Sequence, residues 1–96
     1  QAEVLAQRAQ ACMEMSVEYA KVRMQFGRPI GHFQAIQHKI ADMATRLDAA
    51  RMLVHRAALL RDAGEPCTRE AAMAKLFASQ TGNFCADECL QIHGGA

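Results

Sequence analysis

The sequence of 96 residues predicts an all-α fold of three long antiparallel helices, and three observations support this prediction. Apolar residues recur at steps of three and four along most of the chain, which is the spacing of one face of an α-helix. Clusters of glycine and proline interrupt that pattern at two places, which predicts helices at about 3–26, 33–62 and 68–93. Six methionines, one tyrosine and no tryptophan fit a helical core rather than a β-sheet. We therefore expect residues 1–96 to form a single helical domain.

The first predicted helix carries one apolar stripe. Its members recur every seven residues or fall between those positions: Leu5, Ala9, Cys12, Met15, Tyr19, Val22 and Phe26. This spacing keeps them on one side of an α-helix, where they can pack against a neighbour. Gly27 and Pro29 follow at once, and both disfavour continuation of the helix.

The second predicted helix has the most regular pattern in the sequence. Its heptad-like seam alternates steps of four and three through Ile36, Ile40, Met43, Leu47, Ala50, Val54 and Ala57. We expect the break at Gly27, Pro29 and Gly31 to end before Phe33. A helix from there to Arg61 is about 42 Å long at 1.5 Å per residue, a length that antiparallel bundles use. Gly64 is expected to end it in the left-handed conformation.

The third predicted helix is lined with small residues. Thr68 is predicted as its N-cap, and Glu70 lies in the first turn, where the helix dipole favours an acid. Ala71, Ala78, Cys85 and Ile92 then recur every seven residues, with Gly82 and Cys89 between them. Because glycine costs about 1 kcal/mol relative to alanine inside a helix, Gly82 predicts a close approach by a neighbouring group.

Composition and charge argue against several classes of protein. The net charge is +1, and acids and bases are interspersed, so no nucleic-acid-binding face is expected. No apolar run reaches the roughly 20 residues of a membrane span, and no signal peptide is visible. Four cysteines without a secretory context indicate reduced thiols.

The three helices are predicted to need a further partner. Each carries an apolar stripe, and a bundle of this kind usually covers such stripes with a fourth helix or another subunit. We therefore predict that the chain associates with itself. Because it starts at Gln1 rather than a methionine and stops at a helix-ending glycine pair, we also expect it to be part of a longer protein.

The stretch 23–37 concentrates the residues that can bind an anion. Arg23 lies near the end of the first predicted helix, and its guanidinium can bind a phosphate through two hydrogen bonds. The start of the second helix directs unpaired N–H groups and the positive end of the helix dipole toward the same region. Together they could hold a pyrophosphate. The alternative is that Arg23 only stabilises the C-terminus of its own helix.

A second candidate stretch is 91–95. Two glycines after a helix let a backbone or a ligand come close, because neither has a Cβ. Gln91 offers both a hydrogen-bond donor and an acceptor. The alternative is an ordinary glycine C-cap.

The sequence designates neither a metal site nor a catalytic residue. Cys85, Cys89 and His93 share one helix face, but three ligands on one straight helix span about 12 Å and cannot meet at one metal ion. Packing of the two thiols in the core is the alternative interpretation. No two acidic residues are placed across a cleft by the sequence, and no base accompanies a cysteine. We therefore expect no catalytic residue and no metal ligand in this chain.

Taken together, several motifs resemble the acyl-CoA dehydrogenase family. They are YAKVRMQFGRPIGHFQAIQHKIADM from Tyr19, then AAR, AMAKLFAS and LQIHGG, in this order. The resemblance covers nearly the whole chain. It implies the first three helices of that family's C-terminal domain, an up-and-down four-helix bundle.

The resemblance also implies an activity and a set of contacts. The family uses FAD to remove two hydrogens from the α and β carbons of an acyl-CoA thioester, and an electron-transfer flavoprotein usually takes the electrons. By resemblance, Arg23 and Gln25 contact the diphosphate and ribose side of FAD, with Phe26 beside them. Gln34 contacts the adenosine side. Gln91, Gly94 and Gly95 hold FAD across the interface of a dimer, or of a tetramer built from dimers.

The family's catalytic glutamate lies beyond this chain, downstream in most members and upstream in the isovaleryl and long-chain branch. The chain alone is therefore expected to be inactive. Three functions stay open: an FAD-binding part of an acyl-CoA dehydrogenase, the same part of a related acyl-CoA oxidase or flavin monooxygenase, and a helical interaction module without catalysis. Bacterial cytoplasm and mitochondrial matrix are both compatible with the resemblance.

Overall fold

The computed structural model describes residues 2–25 and 30–94. These residues form three helices and no strand: α1 (Ala2–Gln25), α2 (Ile30–Asp62) and α3 (Thr68–Gly94). The prediction of an all-α fold with three long helices is confirmed. The described residues make a rod of 55 × 17 × 17 Å.

Contacts between helices fix their directions. Tyr19 of α1 lies beside His93 of α3, and Gly82 of α3 faces the backbone of Leu5, so α1 and α3 run parallel. Lys39 of α2 reaches Glu88 of α3. Further along α2, Arg46 stacks over the ring of Phe84 at 4.2 Å and Arg56 reaches Glu70 at 3.6 Å. Thus α2 runs antiparallel to both other helices, and the order is up, down, up.

The break between the first two helices is shorter than predicted. Helix α2 begins at Ile30, so Gly31 lies in its first turn instead of before it. A glycine lowers the stability of a helix but does not prevent one. The packing of the long apolar seam that follows stabilises α2 enough to include Gly31. Phe26, Gly27 and Pro29 lie outside the described residues.

The end of α2 follows the prediction at Gly64, whose φ of +73° is left-handed. The Gly64 N–H donates to the carbonyl of Arg61 at 3.0 Å, and the Glu65 N–H donates to that of Leu60 at 2.9 Å. This pair of bonds is a Schellman motif, which closes the last turn. Across the turn, the carbonyl of Cys67 accepts the Ala71 N–H at 2.8 Å, so Cys67 is the N-cap of α3. The prediction of Thr68 as the N-cap is wrong by one residue, because Thr68 is the first helical residue.

The core lies along the middle of the rod. The buried apolar residues come from all three helices: Ala6, Ala9, Ile36, Met43, Leu47, Ala50, Ala74, Ala78, Cys85, Cys89 and Ile92. The seam predicted for α2 supplies four of them, and its other members Ile40, Val54 and Ala57 are half-buried. Small residues dominate the α1 and α3 faces, which allows these two helices to approach closely.

Among the stripe members whose burial the structure describes, two are on the surface. Met15 is 57% exposed, and Ala71 is also exposed. On α1 the buried face instead continues from Ala9 to Ser16, seven residues on, and a residue one position before Ser16 points about 100° away. The Ser16 hydroxyl is satisfied inside the helix, where it donates to the carbonyl of Cys12 at 2.9 Å.

Within the described helices, none combines the length and the apolar character that a membrane crossing needs.

Gly64 in the turn and Gly82 inside α3 are predicted to respond in opposite ways to alanine. Gly64→Ala should lower the free energy of unfolding by about 1 kcal/mol, because alanine disfavours the left-handed conformation. Gly82→Ala should raise it by about 0.5–1 kcal/mol, because the added Cβ meets only the carbonyl oxygen of Leu5, at 3.9 Å. Urea unfolding followed by circular dichroism measures both. A loss of stability in Gly82→Ala would contradict the ordinary contact found here.

A buried hydroxyl on α3 gives a second prediction. Thr81 is 1% exposed, and its Oγ1 has no hydrogen-bond partner among the described residues. Thr81→Val keeps the shape and removes the unsatisfied group, so the free energy of unfolding should rise by about 1 kcal/mol. Thr45→Val is the matched control, because the exposed Thr45 hydroxyl donates to the carbonyl of Ala41 at 2.9 Å and its loss should bring no gain.

Candidate functional site

Three helix ends meet at one end of the rod. Because the order is up, down, up, the C-terminus of α1 at Gln25, the N-terminus of α2 at Ile30 and the C-terminus of α3 at Gly94 lie together. The residues predicted to bind a ligand belong to these three ends. The fold therefore brings together segments that are about 70 residues apart in the sequence.

The predicted residues are described to different extents. Arg23 and Gln25 lie in the last turn of α1, and Gly94 is the last residue of α3. Gln34 and Gln91 have exposed side chains on α2 and α3. Phe26 and Gly95 lie outside the described residues.

Gln91 is held by a lysine of α2. The Lys39 ammonium donates to Oε1 of Gln91 at 3.0 Å and to Oε2 of Glu88 at 3.2 Å. The Lys39 and Glu88 side chains are 34% and 15% exposed, so this ion pair is partly shielded from water. Since Glu88 and Gln91 are three residues apart on α3, both face the same lysine. The contact ties the second and third helices together beside the candidate site.

The N-terminus of α2 adds a positive potential to this end. Its first turn contains no acidic residue, so nothing there offsets the partial positive charge of its free N–H groups. A helix of 33 residues has the full dipole, and an anion at its N-terminus is stabilised. The N-terminus of α2 by itself therefore favours a phosphate-bearing ligand, whereas the C-termini of α1 and α3 bring partial negative charge to the same end.

The last turn of α3 is also fixed by an aromatic contact with α1. The Tyr19 hydroxyl donates to the carbonyl of His93 at 3.4 Å, and the two rings lie with centroids 4.4 Å apart. His93 Nδ1 lies 2.8 Å from the carbonyl of Cys89; because a carbonyl only accepts, Nδ1 is the donor. These contacts position the backbone that leads into the glycine pair.

Cys85 and Cys89 are packed side chains, as the alternative interpretation predicted. Cys85 and Cys89 are buried, and Cys12 packs against the same cluster from α1. Burial, and then the proximity of Cys89, raise the pKa of the Cys12 thiol. Burial, and then Cys12, raise the pKa of Cys85 to about 11. Among the described residues, no three His, Cys, Asp or Glu side chains are grouped to hold a metal ion.

Lys39 and Glu88 were not identified as site residues from the sequence. The spacing of Glu88 and Gln91 places them on one helix face, but only the rotation of α2 against α3 brings Lys39 to that face. The sequence therefore predicts that Glu88 and Gln91 share a face, but not that Lys39 contacts them.

The Cys85 thiol predicts a loss of stability at alkaline pH. Its pKa rises from an ordinary value of 9.0 to about 11 on folding, so the unfolded chain releases this proton first. The contribution of the protonated Cys85 thiol to the free energy of unfolding is fully present below pH 9 and is lost as the pH rises from 9 toward 11. Urea midpoints at about pH 8 and about pH 10 measure the loss. Cys85→Ala is the control and should show a smaller fall between the two; an equal fall would rule out this thiol as a cause.

Comparison with known proteins shows which family and which relatives this chain is similar to. A family model described as Acyl-CoA dehydrogenase, C-terminal domain, matches residues 2–96. A probable acyl-CoA dehydrogenase of Bacillus subtilis, YngJ, is 53% identical over 88 residues, which cover 92% of this chain and 23% of that protein. Acryloyl-CoA reductase (NADH) of Anaerotignum propionicum is 53% identical over 87 residues, 91% of this chain and 22% of the relative.

The fold has a close match among solved structures. A chain in the structure of the electron transferring flavoprotein of Acidaminococcus fermentans superposes with a TM-score of 0.89 at 45% identity. The match covers 98% of this chain and 25% of that one. The chain therefore spans about a quarter of the length of the proteins that it matches.

Proposed function

The chain belongs to the acyl-CoA dehydrogenase family, as its C-terminal helical domain, and from this premise we propose that it is the FAD-binding and oligomerisation part of an acyl-CoA dehydrogenase. The whole protein would carry out α,β-dehydrogenation of an acyl-CoA thioester. The observation that carries the proposal is the meeting of three helix ends, each with predicted ligand-binding residues, at one end of the rod.

The residues at this end suit the cofactor. FAD carries a pyrophosphate, and the N-terminus of α2 without an acid in its first turn favours an anion. Its ribose and adenine offer hydrogen-bond donors and acceptors, which the exposed amides of Gln34 and Gln91 can match. We assign Arg23 and Gln25 to the diphosphate and ribose side, with Phe26 beside them. Gln91, Gly94 and Gly95 complete the site from the end of α3.

The roles of this domain are binding and orientation. When bound, FAD supplies a flavin that accepts a hydride from the β carbon of the thioester. No residue of this chain is proposed as the catalytic base, so the glutamate that removes the α proton is assigned to a part of the protein outside residues 1–96. The chain alone is accordingly proposed to be inactive.

The same proposal covers partners and location. We infer that two copies share each FAD, as the resemblance implies. Large apolar side chains are exposed on the described helices, and a second copy can cover them: Val4, Met15, Met52, Leu59, Leu76 and Leu90. An electron-transfer flavoprotein is the proposed electron acceptor, and the likeness to a chain in a structure described as that of an electron transferring flavoprotein supports this. Bacterial cytoplasm or mitochondrial matrix is the proposed location.

A second candidate is the reverse reaction. The relative from Anaerotignum propionicum, named an acryloyl-CoA reductase (NADH), is as similar to this chain as the probable dehydrogenase is, at 53% identity each. A reductase would use the same helical domain to bind FAD and would reduce the α,β double bond. We place the dehydrogenase first because the family model carries that description.

The test is a visible spectrum of the whole protein, before and after acyl-CoA thioesters are added without oxygen. We expect a flavin band that one short saturated thioester bleaches, because the substrate reduces the bound flavin. If only NADH bleaches the band and an enoyl-CoA restores it, the reductase is correct. A flavin that no thioester affects would favour a related monooxygenase, and a protein without flavin would leave only the helical interaction module.

A further inference from the structure

A glutamine side chain presents two different edges to a ligand, and its position alone does not decide which. One edge accepts hydrogen bonds through Oε1, and the other donates through the NH₂ group. On an exposed helix face the amide can rotate between the two, so a ligand must select one orientation at an entropic cost. Gln91 lies on such a face.

The contact with Lys39 removes this ambiguity. A lysine ammonium only donates, so the amide atom that lies 3.0 Å from Nζ must be the oxygen. The NH₂ group is therefore on the branch of the amide directed away from Lys39. Lys39 thus leaves the NH₂ group of Gln91, a hydrogen-bond donor, available to a ligand that binds next to it.

Glu88 in turn keeps Lys39 in place. Its carboxylate is 15% exposed and accepts from the same ammonium at 3.2 Å. A carboxylate shielded to this extent needs its cationic partner more than an exposed one does. The lysine is thus held by a charge on α3 while it reaches the amide one turn further along that helix.

We propose that Lys39 is a positioning residue of the cofactor site, which holds the Gln91 amide with its NH₂ group toward the ligand, and that Glu88 anchors Lys39 for this role. The proposal rests on the proposed function, in which Gln91 contacts FAD. The ligand atom at Gln91 is then a hydrogen-bond acceptor, such as a ribose or phosphate oxygen or a ring nitrogen of adenine. Lys39 acts through Gln91 and does not touch the cofactor.

A double-mutant cycle in the whole protein tests the proposal. The apoprotein is titrated with FAD, and quenching of flavin fluorescence gives the Kd for the parent, Lys39→Met, Gln91→Ala and the double variant. Each single variant should raise the Kd about tenfold or more, because each removes an oriented hydrogen bond. The double variant should bind no more weakly than Gln91→Ala, because Lys39 has nothing left to orient.

Three further variants separate positioning from a general effect on folding. Lys39→Arg keeps donors for both acceptors and should stay within a few-fold of the parent. Lys75→Met changes an exposed lysine nearer the opposite end of α3 and should leave the Kd unchanged. Gln91→Glu keeps an oxygen for Lys39 but replaces the donor edge by an acceptor, so it should weaken binding as Gln91→Ala does.

Several results would overturn the proposal. The first is an unchanged Kd in Lys39→Met or in Gln91→Ala. The second is a Kd of the double variant that rises by the product of the two single increases. The third is a Kd of Gln91→Glu equal to that of the parent. The parent reports separately on the proposed function. A parent that binds no FAD refutes both, whereas a parent that binds FAD with any of these results in the variants refutes only the positioning role.

Discussion

The constraint on which the whole domain depends is the close packing of a small-residue face on α3 against α1 and α2. Ala74, Ala78, Cys85 and Cys89 have little volume, so the backbones can come near and the larger side chains of α2 fill the remaining space. Of the residues whose burial the structure describes, Met43 and Leu47 are the largest apolar ones buried completely. A bulky side chain at any of these α3 positions would push the helices apart, and the helix ends at the candidate site would separate with them.

The same packing sets the register between α2 and α3, and this register places Lys39 beside Gln91. Lys39, Arg46 and Arg56 of α2 each contact a residue on α3, from the candidate-site end of the rod to the turn between α2 and α3. A shift of one helix by a single turn would displace every one of these contacts by about 5.4 Å. The Lys39–Gln91 contact thus depends on a helix register that interactions along the domain maintain, and the stacking of Arg46 over Phe84 is one of them.

Much of the fold could be predicted from the sequence, because its helices are long and regular. The seam of α2 and the left-handed Gly64 follow from local rules that need no knowledge of neighbours. The prediction that Met15 belongs to the buried face of α1 is wrong. A seven-residue repeat allows residues on either side of the stripe to be included, and only the packing of the helices decides which of them are buried. The meeting of helix ends at the candidate site follows from the antiparallel order. The Lys39–Gln91 contact does not, since it depends on how two helices are rotated against each other. The individual FAD contacts stay predictions.

The turn between α2 and α3 has a consequence for how such a domain can vary. Gly64, Glu65 and Pro66 are exposed, and the Schellman motif ends α2 without help from any side chain of the turn. Longer connections at this point would cost little, because loop closure grows only slowly with length. The candidate site lies the full length of α2 away, about 50 Å for its 33 residues. Insertions, fused modules or spectroscopic labels can therefore be placed at this turn while the opposite end of the rod keeps its geometry.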